Sequence, residues 1–132
     1  MQIFLDFDGT VVEHYYPLIG AYNPDCKEVI SKLQQAGHEV ILNTYRVEIE
    51  DDSLKQALLY LYTLDLPIAI TQKTNTKINP PAWNLDEAIE TGKLFIDDIA
   101  TGIPLIDAPV SGGKMVDWKK IETELENFKI IY

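Results

Sequence analysis

Short apolar runs, each closed by polar or turn-forming residues, recur along the chain and predict its strands. The first run ends in Asp8-Gly9, which is typical of a buried strand followed by a turn. It contains β-branched and aromatic residues, which strands favour. Runs of this kind predict six strands, at residues 2–7, 38–43, 67–71, 93–96, 103–107 and 114–116.

Between these runs, apolar residues recur at helical spacing, and capping residues mark where each helix begins. Asn23 at the N-cap and Pro24 at the first helical position begin the first helix, which Gly37 ends. Prolines and other turn formers predict an irregular loop or a small hairpin at residues 11–22 and a loop at residues 72–83. The second helix is predicted to begin at Asp51 or Asp52. The third begins at Asn84, which forms a capping box with Glu87, and ends at Gly92. The fourth begins at Asp117 and ends near Phe128.

Strands that alternate with helices predict an α/β fold, with a Rossmann-like parallel sheet and helices on both faces. The chain has 132 residues, of which 46% are hydrophobic. That length and composition allow one domain with one core. We therefore predict a single domain over residues 1–132.

The charge balance narrows the range of partners. Lys and Arg number 11 and Asp and Glu 21, so the formal net charge is −10. Such a surface repels phosphate backbones and anionic lipid, which disfavours nucleic acid and membranes as partners. The single cysteine, Cys26, excludes an internal disulfide framework and a CxxC metal site. Because we find no signal peptide and no run of about 20 apolar residues, we expect a cytoplasmic protein.

Acidic residues follow two of the predicted parallel strands. Asp6 and Asp8 close the first strand on the same side of the chain, and Asp97 and Asp98 close the strand at 93–96. Ligands of α/β folds bind outside the carboxyl ends of the strands, so these four carboxylates should converge. Side-by-side carboxylates repel unless a cation or a shared proton relieves them, and an all-oxygen site suits Mg²⁺.

This set of residues fits phosphoryl transfer. A metal-bound carboxylate can attack phosphorus and form an aspartyl phosphate. A second carboxylate can protonate the leaving oxygen and later deprotonate the attacking water. A hydroxyl and a cation are needed to hold the phosphoryl oxygens, and Thr44 with a lysine from the loop at 72–83 could supply them.

The run Asp6-Phe7-Asp8-Gly9-Thr10 matches the DxDGT signature of the haloacid dehalogenase-like (HAD) superfamily, and residues 2–98 resemble that family in motif order. The resemblance implies that Asp6 is the nucleophile and Asp8 the general acid/base, as in the phosphatase branch. It implies Mg²⁺ held by the Asp6 carboxylate, the Asp8 backbone carbonyl, and Asp97 or Asp98. Gly9 and Thr10 of the signature would line the substrate's phosphate.

The family's lysine lies near the start of the helix before the fourth strand, often close to a proline. Lys77 in Lys77-Ile78-Asn79-Pro80 fits that description best, with Lys73 second and Lys93 third. Thr44-Tyr45-Arg46 resembles the Ser/Thr-x-Arg of cap-less members such as the phosphatase domain of polynucleotide kinase. A guanidinium there could bind phosphate bidentately, and the alternative is a solvent-exposed arginine opening a loop.

The opening DFDGTVVEHYYPLIG also resembles small, cap-less, mostly uncharacterised bacterial HAD proteins, one of them from Bacteroides. The intervals between the motifs are too short for the family's cap domain, and residues 11–22 could form only a small flap. An open site of this kind implies a large substrate, or a small phosphorylated one closed over by a second subunit. His14 in the flap would either line the site or lie on the surface.

Three functions follow for testing. The first is a Mg²⁺-dependent phosphomonoester hydrolase, with a nucleic-acid-end phosphatase as a variant that the net charge disfavours. The second is a HAD-like domain that has lost catalysis and serves as a binding module. The third is a response-regulator receiver, which accepts phosphate on an aspartate ending its third strand. The predicted third strand here ends in Ala69-Ile70-Thr71, which argues against a receiver.

Overall fold

A parallel sheet of three strands organises the chain, whose computed structural model describes residues 1–66 and 71–132. The strands β1 (Gln2–Leu5), β2 (Glu39–Leu42) and β3 (Lys93–Ile96) lie in the order β2-β1-β3. Leu5 lies level with Leu42 on one side and with Ile96 on the other. The chain therefore leaves all three strands at the same edge of the sheet, and the residues that follow them are brought together.

Within residues 1–66 and 71–132, four helices flank the sheet, in agreement with the predicted Rossmann-like α/β fold, and these residues form one small domain. Their apolar stripes share one core with the strands, because each stripe must be buried against another element. No helix within residues 1–66 and 71–132 has the length and apolar character needed to cross a membrane. The remaining elements are α1 (Cys26–Gln35), a 3₁₀ turn (Tyr45–Glu48), α2 (Ser53–Thr63), α3 (Leu85–Thr91), the antiparallel strands β4 (Leu105–Asp107) and β5 (Lys114–Val116), and α4 (Trp118–Asn127).

The capping residues predicted from the sequence mark the starts of α3 and α4 and the end of α3. The Asn84 side chain accepts a hydrogen bond from the Glu87 N–H at the start of α3, and Asp117 accepts one from the Lys120 N–H at the start of α4. Gly92 ends α3 with a φ of 75°. The predicted strand at 67–71 lies outside the described residues except for its last position, because residues 67–70 are not described. The predicted first strand is shorter than expected and ends at Leu5.

The prediction for Asn23 is wrong, and its actual role matters for the site. Helix α1 begins at Cys26, after Asp25 in the left-handed region with a φ of 70°. The Asn23 side-chain amide instead donates to the Thr10 carbonyl at 2.9 Å and to the Val116 carbonyl at 2.8 Å. A buried amide must satisfy its N–H groups, and these two carbonyls do so. The Asn23 Oδ1, the atom that would cap a helix, accepts no hydrogen bond from the start of α1. Asn23 thereby joins the loop after β1 to β5.

The flap (residues 11–22) lies against that loop and is held from the far end of the chain. Val12 forms isolated bridges to Asp8 and Tyr22, so the flap closes on itself like a small hairpin. The buried Glu13 carboxylate accepts the N–H groups of Val110, at 3.1 Å, and of Ser111, at 2.6 Å. These bonds fix the flap beside the edge where the parallel strands end.

Candidate active site

Three carboxylates meet at the carboxyl ends of β1 and β3. Asp6 and Asp97 are 4% and 1% exposed, and oxygens of Asp6, Asp97 and Asp98 all lie within 4.8 Å of one another. Because the two strands are in register, residues 91 positions apart in the chain become neighbours. Asp6 and Asp98 open onto a cavity of about 240 Å³.

Lys77 is the cation that faces this cluster. Its Nζ lies 3.2 Å from Asp6 Oδ1 and 2.8 Å from Asp97 Oδ2, and its side chain is 3% exposed. The following residue, Ile78, exchanges two hydrogen bonds of 2.9 Å with the side chain of Asn43, directly after β2. The end of β2 thus anchors the loop that delivers the lysine.

The two other lysines considered from the sequence lie elsewhere. Lys73 forms an exposed ion pair with Glu39 at 2.8 Å, and Lys93 is the exposed first residue of β3, at the opposite edge of the sheet. Of the three, the structure brings Lys77 to the carboxylates.

Burial dominates the electrostatics of the cluster. It raises the pKa of Asp6 well above its usual range, and the neighbouring Asp97 carboxylate adds to the shift while Lys77 opposes it. Burial likewise raises the pKa of Asp97 against the opposing effect of Lys77. For Lys77, desolvation acts to lower the pKa, but the Asp6 and Asp97 carboxylates outweigh it and the pKa is raised. One ammonium therefore pairs with two buried carboxyl groups, those of Asp6 and Asp97.

The donor set fits a hard divalent cation. Asp6, Asp97 and Asp98 offer oxygen ligands from a compact, mostly buried cluster, which is the chemistry that Mg²⁺ prefers. Of the four carboxylates expected to converge, that of Asp8 is bound by Arg46 and lies outside this cluster. The predicted metal ligand from Asp8 is its backbone carbonyl, which stays a prediction.

Arg46 differs from both alternatives considered from the sequence. It is 1% exposed rather than on the surface, and it forms a bidentate pair with Asp8, with Nε–Oδ2 and Nη2–Oδ1 distances of 2.8 Å. Its guanidinium lies 5.0 Å from the Phe7 ring centroid and 5.3 Å from that of Tyr16. Its other three N–H groups donate to the carbonyls of Pro17, Leu18 and Ser53. All five donors are used, so this geometry leaves none for the predicted contact with phosphate.

The two threonines have different positions relative to the cavity. Thr10 is fully buried, and its hydroxyl donates to Asp6 Oδ2 at 3.1 Å, so it orients the carboxylate rather than lining the substrate's phosphate as predicted. Thr44 lines the cavity and caps the 3₁₀ turn, accepting from the Arg46 N–H at 3.2 Å. Its hydroxyl hydrogen can donate to a ligand oxygen in the cavity.

His14 belongs to the lining of the cavity. Its Nε2 lies 2.6 Å from Asp98 Oδ2, and the hydrogen bond to Asp98 raises the pKa of His14. Burial acts to raise the pKa of Asp98. The hydrogen bonds of Asp98, above all the one with His14, outweigh burial, so the pKa of Asp98 is lowered. The sequence left the place of His14 open, because nothing local connects a flap histidine with an aspartate 84 positions later.

Gly9 makes room for this pair. Its φ is +84°, and a Cβ at this position would collide with His14 Nε2 and lie 2.5 Å from Asp98 Oδ2. Any side chain at this position would therefore strain the backbone and collide with the side chains of His14 and Asp98. The role supported by the geometry is close packing of the loop against Asp98, which differs from the predicted role in lining the phosphate.

Gly9→Ala should destabilise the protein more than Gly37→Ala. Both glycines have left-handed backbones, with φ of +84° and +90°, but a Cβ at Gly37 meets nothing within 4 Å. The backbone cost of about 1–2 kcal/mol is common to both variants, and the collision with His14 and Asp98 is peculiar to Gly9. Urea denaturation of the two variants measures the difference, and equal losses of unfolding free energy would show that the collision is relieved at no cost.

Comparison with known proteins gives one informative result. No protein-family model and no curated protein matches the chain. The solved structure of a conserved protein coded by a locus of Bacteroides thetaiotaomicron is similar, with 30% sequence identity and a TM-score of 0.60. The match covers 98% of this chain and 91% of that protein, which confirms the expected resemblance to a Bacteroides protein. The chain belongs to the same family as this conserved Bacteroides thetaiotaomicron protein.

Proposed function

We propose that the chain is a HAD-type phosphatase, a Mg²⁺-dependent phosphomonoester hydrolase that works through an aspartyl phosphate on Asp6. The observation that carries the proposal is the position of the Lys77 ammonium between Asp6 and Asp97, at the floor of a cavity lined also by Thr44. A carboxylate nucleophile, a cation and a hydroxyl for phosphoryl oxygens, and an all-oxygen metal site are the groups that this reaction needs.

The first half-reaction begins at Asp6. Its carboxylate oxygen bonds to phosphorus as the ester P–O bond breaks, and the alcohol leaves with a proton. Thr10 holds the Asp6 carboxylate in orientation, while Lys77 and Thr44 hold phosphoryl oxygens. Mg²⁺, held by Asp6, Asp97 and Asp98, would neutralise charge on the carboxylates and the phosphoryl group. Water then attacks phosphorus, which releases phosphate and restores Asp6.

Asp8 is the proposed proton donor and acceptor for both halves. It lines the cavity, although each of its oxygens accepts a bond from Arg46. A carboxylate oxygen has a second lone pair, so Asp8 can exchange a proton with a leaving alcohol while it stays bound to the guanidinium. Arg46 would then fix the direction in which Asp8 faces the substrate.

Asp6→Asn should abolish Mg²⁺-dependent hydrolysis of p-nitrophenyl phosphate. The amide cannot act as the nucleophile, so we expect a loss on the order of 10³-fold or more. Phosphate release is measured with Mg²⁺ and with EDTA, and Asp86→Asn, at an exposed acid in α3, is the matched control that keeps full activity. Turnover that persists in Asp6→Asn would reject Asp6 as nucleophile.

The Arg46–Asp8 pair also favours a second candidate, a HAD-like binding module without turnover. If the guanidinium holds Asp8 too firmly for proton exchange, the site would bind Mg²⁺ and phosphate esters without cleaving them. Calorimetric binding of Mg²⁺ together with no phosphate release from any of a panel of phosphomonoesters would favour this function over the hydrolase.

A further inference from the structure

We infer that the phosphate ester taken by this site has a neutral, apolar or aromatic alcohol and carries no second anionic group. The inference rests on the proposed phosphatase function and names the class of its substrate. It comes from the walls of the cavity above Asp6 and Lys77, rather than from the groups that would perform the chemistry.

Four large apolar or aromatic side chains line the cavity at its mouth, and we call them the apolar wall: Tyr16, Tyr45, Ile49 and Ile99. Each is substantially exposed, between 42% and 54%, although each lies directly beside a buried polar cluster. Apolar surface around a few fixed polar groups is typical of a ligand site and would be covered when an apolar ligand binds.

The two tyrosines contribute ring surface rather than hydroxyl groups. The Tyr16 hydroxyl donates to Asp51 at 2.8 Å, and the Tyr45 hydroxyl donates to Asn79 Oδ1 at 3.3 Å. Lys77 Nζ lies 4.5 Å from the Tyr45 ring centroid, which places that ring next to the position proposed for the phosphoryl group. A flat or apolar group attached to the phosphate would therefore meet Tyr45 first.

The charges in the cavity oppose a second anionic group on the substrate. Arg46 has all its donors engaged, and Lys77 already faces Asp6 and Asp97. The lining contains no further Lys or Arg among the described residues, and the sequence 67–70 is uncharged. His14, the other lining residue that can carry a positive charge, is already paired with Asp98 at 2.6 Å. A carboxylate or second phosphate would thus approach Asp8 and Asp98 with no free cation to compensate it.

The size of the cavity agrees with one ring. An apolar cavity of about 150 Å³ is enough to hold benzene. The cavity here measures about 240 Å³, so it can take a phosphoryl group together with a single ring or a short branched chain.

Binding of two phosphonates that cannot be hydrolysed tests the inference without depending on turnover. With Mg²⁺ present, 2-phenylethylphosphonate should bind the wild-type chain about tenfold more tightly than 2-carboxyethylphosphonate, because it covers the apolar wall. Isothermal titration calorimetry gives both dissociation constants. Hydrolysis of 2-phenylethyl phosphate and 2-hydroxyethyl phosphate, whose alcohols are similar leaving groups, is measured in parallel.

Ile49→Lys should reverse the preference, since it places a cation on the apolar wall, whereas Ile89→Lys should not. Ile89 is 48% exposed on α3 and does not line the cavity, so it is the matched control for Ile49 at 42%. A preference of the wild type for the carboxylate ligand, or none, would overturn the inference. An unchanged ratio of the two constants in Ile49→Lys would overturn the assignment of the wall.

The outcomes separate the two proposals. Hydrolysis of both esters together with equal binding of the phosphonates rejects the substrate class and leaves the phosphatase standing. Selective binding of the aromatic phosphonate without hydrolysis of any ester supports the substrate class and rejects the phosphatase. No binding of either phosphonate and no hydrolysis rejects both.

Discussion

Lys77→Met should reduce phosphomonoester hydrolysis by about 10³-fold and should destabilise the protein when no divalent cation is present. Removal of one group that stabilises developing charge costs about 10²–10³-fold in other enzymes, and this ammonium also faces the proposed nucleophile at 3.2 Å. Loss of one partner from a buried ion pair leaves an uncompensated charge and costs about 3–5 kcal/mol. Here the side chains on both sides of the pair are at most 5% exposed.

The measurement is steady-state hydrolysis of p-nitrophenyl phosphate together with urea denaturation, each with EDTA and with Mg²⁺. Mg²⁺ should recover part of the lost unfolding free energy, because it supplies the positive charge that the carboxylates lack. Lys73→Met is the control, since the pair of Lys73 with Glu39 is exposed and such pairs contribute little. Retention of activity in Lys77→Met with a loss in Lys73→Met would move the catalytic lysine to position 73.

Arg46→Met should lower the free energy of unfolding by about 3–5 kcal/mol, because it leaves the Asp8 carboxylate and three backbone carbonyls without their donor. The side chain is almost completely buried and uses all five N–H groups, so the variant loses all five hydrogen bonds. Arg46→Lys should recover only a minor part of the loss, since an ammonium cannot reproduce the bidentate geometry.

A double-mutant cycle with Asp8→Asn isolates the pair from the other contacts of Arg46. Urea denaturation of the two single variants and the double variant should give a coupling energy of at least about 1 kcal/mol, as expected for residues in direct contact. Additive losses would show that Arg46 acts mainly through the backbone carbonyls, and a loss below about 1 kcal/mol in Arg46→Met would contradict a structural role for the buried guanidinium.

The sequence predicted the elements whose signals are local. Strand β3 has the predicted bounds, and α4 begins where the Asp117 cap placed it. The meeting of Asp6 with Asp97 could be predicted too, because parallel strands in register bring their carboxyl ends together. The resemblance to the HAD family favoured Lys77 among three lysines, and the structure brings this residue to the carboxylates.

The side-chain contacts that the sequence did not predict join residues that are distant in the chain. Asn23 is a good helix cap by local chemistry, but its N–H groups donate to two buried carbonyls of distant segments, and α1 begins only at Cys26. Arg46 could have faced phosphate or solvent, and only the packed structure shows that Asp8 lies within reach of its guanidinium. The contact between His14 and Asp98 arises in the same way, because the flap is placed by bonds from Glu13 to residues near position 110.

The segment after Asp98 contains none of the proposed catalytic groups, yet it supports the loop after β1, which carries Asp6 and Asp8. Val116 donates its N–H to the Gly9 carbonyl, and the Trp118 indole donates to the Thr10 carbonyl, so β5 and the start of α4 hold the loop after β1 from outside. A recombination that kept residues 2–98 and replaced the rest would preserve every signature residue and lose these supports. Exchange of the C-terminal segment between members of this family is therefore constrained by its hydrogen bonds to the loop after β1. We expect this segment and that loop to evolve together.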